Sequence, residues 1–161
     1  MRTSASTLFS VLALAIGLVE SASSQTIPKG VPCKVHHASP RTQKAIFEAY
    51  VKAMYIEKNI PKAFNNVVAA DYIQHNPAGP DGFDAAYVGL SQLLANPELE
   101  VQILHLAFEA PYGWVHLRMD GFQPNATAGL DLYRMNGTCF QEHWDVLQER
   151  PATALNDHPL F

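Results

Sequence analysis

Within the stretch LDLYRMNGTCFQEHWDVLQ (residues 130–148), two carboxylates, Asp131 and Glu142, stand among large aromatic residues. Asn136-Gly137 is a strong hairpin signal between two alternating runs. With the turn centred there, Met135 opposes Thr138, Tyr133 opposes Phe140 and Asp131 opposes Glu142. Strand alternation then puts Asp131, Tyr133, Met135, Phe140, Glu142, Trp144 and Val146 on one largely apolar face. Directly opposed Cβ atoms lie about 5 Å apart. Burial and like charge both raise carboxyl pKa values, so this pairing predicts one shared proton near neutrality. One group would donate a hydrogen bond while the other accepts a proton. The alternatives are a solvated pair, or a carboxylate neutralised by Arg118 or Arg134. The register is also sensitive: a glycine bulge would slip it by one residue. Asp131 would then share its face with His143 and Asp145, making His143 the catalytic candidate.

His75 lies in YIQHNP, before a proline-ended turn, and its ordinary pKa near neutrality suits a general base. A turn-capping role is the plainer alternative. His105 and His116 fall within strands and read as structural. Among seven histidines there is no His-x-His, no His-Glu-x-x-His and no Cys-x-x-Cys spacing, so no metal site is expected. No Gly-x-Ser-x-Gly elbow or glycine-rich phosphate loop occurs.

These groups need elements to position them. Arg2 and the apolar run LFSVLALAIGLV, followed by SASSQ, form a secretory signal peptide over residues 1–24, cut after Ala22 or Ser24. No later segment is long and apolar enough to span a membrane. Residues 25–40 contain Pro28, Pro32 and Pro40 and read as an extended tail. Residues 41–161 are the domain. The formal net charge of −4 and scattered lysines leave no basic stripe for nucleic acid.

Ser39 or Thr42 caps a predicted helix running to about Asn59. Ile46, Phe47, Tyr50, Val51, Met54 and Tyr55 form its apolar face. The Tyr50/Met54/Tyr55 stripe is most simply core, and its inner end could line a pocket. A short helix starts at Pro61, DYIQ is extended, and a further helix runs from Asp84 to about Leu94. From Leu99 the chain turns β-rich, with hairpins at PYG and at Asn136-Gly137. Helices followed by an antiparallel meander give an α+β plan, one curved sheet folded over helices.

The paired count of Cys33 and Cys139 in a secreted chain predicts one disulfide, with Cys139 facing away from the apolar side where the tail can reach it. Asn125 and Asn136 each begin a glycosylation triplet.

The segments YIQHNPAGPDG, LDLYR and QEHWDVLQ resemble the SnoaL-like polyketide cyclase family from about Thr42 to Phe161. That family has the cone-shaped fold also seen in nuclear transport factor 2 and ketosteroid isomerase. The resemblance implies a curved sheet around a long helix and an apolar pocket. It further implies proton abstraction next to a carbonyl without metal or cofactor. By position it implies that Asp131 is an oxyanion-stabilising acid, that Glu142 is a second catalytic acid, and that His75 and Asn76 lie near the base. Trp144, with Tyr133, would line the pocket. The expected partner is a small apolar carbonyl compound, with a homodimer as a possible assembly. A non-catalytic ligand-binding or dimerisation module on the same cone is the rival reading.

Overall fold

The computed structural model describes residues 30–161. The signal-peptide assignment lies outside the described residues. Ser39 caps α1 (Pro40–Val51): its side chain accepts from the Thr42 N–H at 3.2 Å, and Pro40 occupies the first turn. One face of α1 buries Gln43, Phe47, Tyr50 and Val51. The helix continues as a π-helical turn over Lys52–Ile56, with the Glu57 N–H donating to the Lys52 carbonyl at 3.0 Å. Asn59 then caps the short α2 (Ile60–Phe64) through the Lys62 N–H. The single helix expected to about Asn59 is thus an α-helix ending in a wide π-helical turn, and α2 is the short helix expected at Pro61.

β1 (Val68–Gln74) and α3 (Phe83–Leu94) precede the meander of β2 (Glu100–Glu109), β3 (Tyr112–Asp120), β4 (Thr127–Asn136) and β5 (Cys139–Glu149). The sheet order is β1-β5-β4-β3-β2. The meander is antiparallel as expected. β1, however, pairs parallel to β5, an edge that the meander pattern did not foretell. Among the described residues no helix is long and apolar enough to cross a membrane.

Phe47 is fully buried in the core and packs near Phe108, Tyr133 and Phe140, with ring centroids 5.4–6.3 Å apart. A Cβ on Gly113 would lie 2.6 Å from the Phe47 ring, so that strand position admits only glycine without repacking. Truncating Phe47 to alanine should cost roughly 3–5 kcal/mol.

The β4–β5 hairpin differs from the expected register in two steps. Asn136 pairs with Cys139, so the turn residues are Gly137 and Thr138, one place later than expected. Gly137 has φ +56°, and a Cβ there would lie 2.0 Å from the His36 carbonyl oxygen. The extended tail fixes this position: the Thr138 N–H donates to that same carbonyl at 3.0 Å. Cys33 bonds to Cys139, with Cα atoms 5.8 Å apart, as the cysteine count predicted. The second step is a bulge. Met135 pairs with Phe140 but Arg134 pairs with Glu142, leaving Gln141 as the extra residue. The Gln141 amide donates to the Asp71 carbonyl and carboxylate, both at 3.1 Å, which anchors the bulge to β1. Shifting the turn alone keeps Phe140 inside; the bulge exchanges the faces beyond it. Asp131 consequently opposes Asp145, and Tyr133 opposes His143. The expected pairing of Asp131 with Glu142 does not form.

Candidate active site

A cavity of about 270 Å³ lies between the inner face of the sheet and the helices. That is near the lower end of ligand pockets, roughly 300–1,000 Å³. Leu90, Leu93 and Leu94 of α3, with Leu117, Met119 and Phe122, make an apolar wall. At the other end Tyr50, Tyr55, Asp131, Tyr133, His143 and Asp145 converge, with Gln74 and Asn76 beside them.

The π-helical turn explains how two tyrosines of one helix reach the same place. Tyr50 and Tyr55 are five residues apart, the spacing that an i→i+5 turn superimposes. Met54, between them, is also buried and lines the cavity. The Tyr55 hydroxyl donates to Asp131 Oδ2 and also contacts the Tyr133 hydroxyl. Burial pushes the hydroxyls of Tyr50, Tyr55, Tyr72 and Tyr133 up from the ordinary tyrosine value, with Asp131 adding to the rise at each. They are therefore neutral hydrogen-bond donors across the physiological range.

The tautomer of His143 follows from its neighbours. Gln74 Oε1 accepts the Asn76 backbone N–H at 3.0 Å, which identifies that atom as the amide oxygen. The same oxygen lies 2.9 Å from His143 Nδ1, so Nδ1 carries the proton and donates. In the neutral ring Nε2 is then the bare nitrogen. It is buried, has no hydrogen-bond partner, and lies 3.7 Å from Asp131 Oδ1. Asn76 donates to Asp145 Oδ2 at 2.6 Å, completing the polar end.

The opposite face of the same strands carries a different set. Glu142 accepts from Arg134 Nε at 2.6 Å and also from Arg134 Nη2. Its second oxygen lies 3.0 Å from His75 Nε2. His75 stacks on Trp144, with ring centroids 4.3 Å apart and planes 5° from parallel. The hydrogen bonds from His75 and Arg134 hold the Glu142 carboxyl below its ordinary range. The raised, proton-sharing Glu142 expected from the other register is therefore corrected: this carboxylate is ion-paired, with Arg134 as its neutraliser.

No protein-family model matches the chain, and no curated protein does. Solved structures do match. A protein of unknown function from Mesorhizobium loti, described as ntf2-like, superimposes with a TM-score of 0.59 at 15% identity, covering 71% of this chain and 98% of the other. A putative ketosteroid isomerase from Kribbella flavida gives 0.55 at 12%, covering 72% and 84%. A putative polyketide cyclase from Acidithiobacillus ferrooxidans gives 0.52 at 14%, covering 66% and 87%. The chain has the nuclear transport factor 2-like fold. Identities this low carry the fold alone, and it is the fold that the resemblance to SnoaL-like proteins implied.

In this cone, the structure brings Asp131, His143, Asn76, Tyr133, Tyr50 and Met54 together around the cavity. It places His75, Glu142 and Trp144 on the outer face of the sheet, away from the cavity lining: the Gln141 bulge turns Glu142 and Trp144 there, and His75, just after β1, meets them. Tyr55, Tyr72 and Gln74 were not among the expected site residues, although each lines the cavity. The nearest sequence signal for Tyr55 was its place on the apolar helical stripe. Asn125 and Asn136 are both exposed.

Proposed function

We propose that the protein is a secreted acid–base enzyme acting on a small apolar carbonyl compound, with His143 as the proton-accepting group. The observation that carries this reading is the bare, buried Nε2 of His143 beside Asp131 at the polar end of an apolar cavity. A buried nitrogen without a partner forgoes hydrogen bonding that water would supply, so its retention favours a role with a ligand. In the reaction Nε2 takes a proton from the carbon next to the carbonyl, and Asp131 stabilises the imidazolium that forms. The carbonyl oxygen gains negative charge and is held by a neutral tyrosine hydroxyl of the cavity such as that of Tyr50, since Tyr55 already donates to Asp131. The same proton, returned elsewhere, completes an isomerisation; loss of a leaving group or attack of the enolate on a second carbonyl completes a dehydration or an aldol-type cyclisation.

Secretion is supported by the leader-like residues 1–24 and by the Cys33–Cys139 disulfide. The division into a leader, a tail over 25–40 and a domain over 41–161 belongs to this reading, as do glycans on Asn125 and Asn136. The outer sheet face, where Trp114, Leu130 and Val146 are 39%, 46% and 69% exposed, would take a second copy of the chain.

A panel of small cyclic ketones and hydroxylated aromatic ketones in D₂O tests the chemistry by NMR. Enzyme-dependent deuterium incorporation next to the carbonyl is expected. Ligands that bind in the cavity without any exchange would show a binding module instead.

A further inference from the structure

Asp131, His143 and Asp145 have an arrangement that acid–base chemistry does not require. Each offers one ligand atom, and these atoms lie within 4.8 Å of one another. Acidic clusters are common without an ion, so the decisive observation is His143. It is 9% exposed, and its Nε2 faces this cluster with no partner. Every member is also held from behind. Gln74 accepts the hydrogen bond from Nδ1, which is the support that metal-bound imidazoles have. Tyr55 holds Asp131 Oδ2, and Asn76 holds Asp145 Oδ2 at 2.6 Å. Asp131 thus keeps Oδ2 oriented while its Oδ1 faces His143, and Asp145 is oriented through Oδ2.

We propose that Asp131, His143 and Asp145 bind a divalent transition-metal ion at the inner end of the cavity. One imidazole nitrogen with two carboxylate oxygens suits ions of the Zn²⁺, Mn²⁺ or Fe²⁺ kind. Mg²⁺ and Ca²⁺ prefer an all-oxygen shell, so they fit poorly. Metal–ligand bonds of about 2.0–2.2 Å require the three atoms to draw together by side-chain rotation. Three protein ligands facing a cavity leave further positions for water or a carbonyl oxygen. The ion competes with the proton for Nε2, so it inhibits the metal-free exchange reaction. The site rests on the geometry of these three residues and not on the proton-transfer reading. No metal-ligand spacing marks it, because Asp131 meets His143 and Asp145 across the bulged hairpin, the set that the slipped register would bring to one face.

Other histidines supply the control. His105 and His116 stack on the outer face with their Nδ1 atoms 3.2 Å apart, and they are the strongest rival for a metal ion. Co²⁺ titration of the full secreted chain, followed by its visible absorption, tests the proposal. Saturable binding of one equivalent is expected, weakened at least 100-fold in His143→Gln and in Asp145→Asn, and unchanged in His105→Gln. Circular dichroism confirms that the variants fold, and Asp145→Asn preserves the shape of the side chain if His143→Gln does not. Binding that survives both inner variants, or that is lost in His105→Gln, overturns the proposal. So does an absence of binding at millimolar Co²⁺. Deuterium exchange measured in the presence of a chelator reads the acid–base proposal separately, so the two can fail independently.

Discussion

Two histidine–carboxylate pairs stand back to back on the sheet, and they have opposite character. On the outer face His75 meets Glu142 at 3.0 Å, Arg134 completes the carboxylate's bonds, and Trp144 covers the imidazole. On the inner face His143 lies 3.7 Å from Asp131, and its buried Nε2 has no hydrogen-bond partner, at the polar end of the cavity. Satisfied ion pairs near a surface contribute modestly to stability. Unsatisfied buried nitrogens oppose it, by roughly 1–3 kcal/mol. The difference teaches that residue types do not identify a site; unmet bonding capacity in a cavity does. The segment EHWD offers an acid, a base and an aromatic to either face, and one extra residue decides which of them faces the cavity.

The largest expected effect separates the two faces by activity. His143→Gln should reduce deuterium exchange by roughly 10²–10⁴-fold, the range for losing a general base. His75→Gln should leave it unchanged. The reverse pattern would move the chemistry to the outer face.

The next effect falls on both faces together. Cys33–Cys139 ties the tail to the root of β5 and closes a loop across a sequence separation of 106 residues. Replacing both cysteines by alanine should lower stability by about 4 kcal/mol in the chain-entropy account, read by denaturant melts. A loss confined to under about 1 kcal/mol would show that the tail's backbone bonds suffice to hold the turn.

A smaller effect distinguishes the carboxylates. The Glu142 carboxyl is lowered in the fold by its bonds from His75 and Arg134. A lowered carboxyl pKa gives stability that is present above the unfolded value and is lost as pH falls through the folded one. Glu142→Gln should therefore cost about 1–2 kcal/mol near pH 7, discounted for the partly exposed His75, and little at pH 3. Thermal melts across that range decide it. Stabilisation at pH 7–8 would mean that Glu142 is buried against a like charge after all.

The smallest effect belongs to the tyrosines of the inner face. Burial raises the pKa of Tyr50, Tyr55, Tyr72 and Tyr133. Their contribution is complete below the unfolded value of about 10 and is lost as pH rises above it. Melts between pH 8 and pH 11 should show stability falling above pH 10, less steeply in Tyr72→Phe. A flat profile to pH 11 would mean that these hydroxyls are hydrated.

Much of this plan was legible in the sequence. Phe47, Tyr50 and Met54 recur at helical spacing and are buried on α1 and its π-helical turn. The PYG signal marks the real β2–β3 hairpin, whose turn is Ala110-Pro111, and the paired cysteines are bonded. Asn136-Gly137 also marked a real hairpin, but tertiary contact chose its centre: the His36 carbonyl lies where the tail meets the turn. No local signal announces the bulge at Gln141, because its anchor is Asp71 on a strand 70 residues away. That single residue exchanged Glu142 for His143. Tyr55 was legible only as a member of the apolar stripe; its bond to Asp131 was not, because it depends on the π-helical turn and on a strand 76 residues away.

The central claim is that His143, and not His75, meets the ligand. The most direct test is a ¹⁵N-histidine-labelled sample titrated with a small cyclic ketone that undergoes exchange. The account predicts that the His143 ring nitrogens shift, Nε2 most, while the His75 resonances stay in place. Shifts at His75 with His143 unmoved would contradict it.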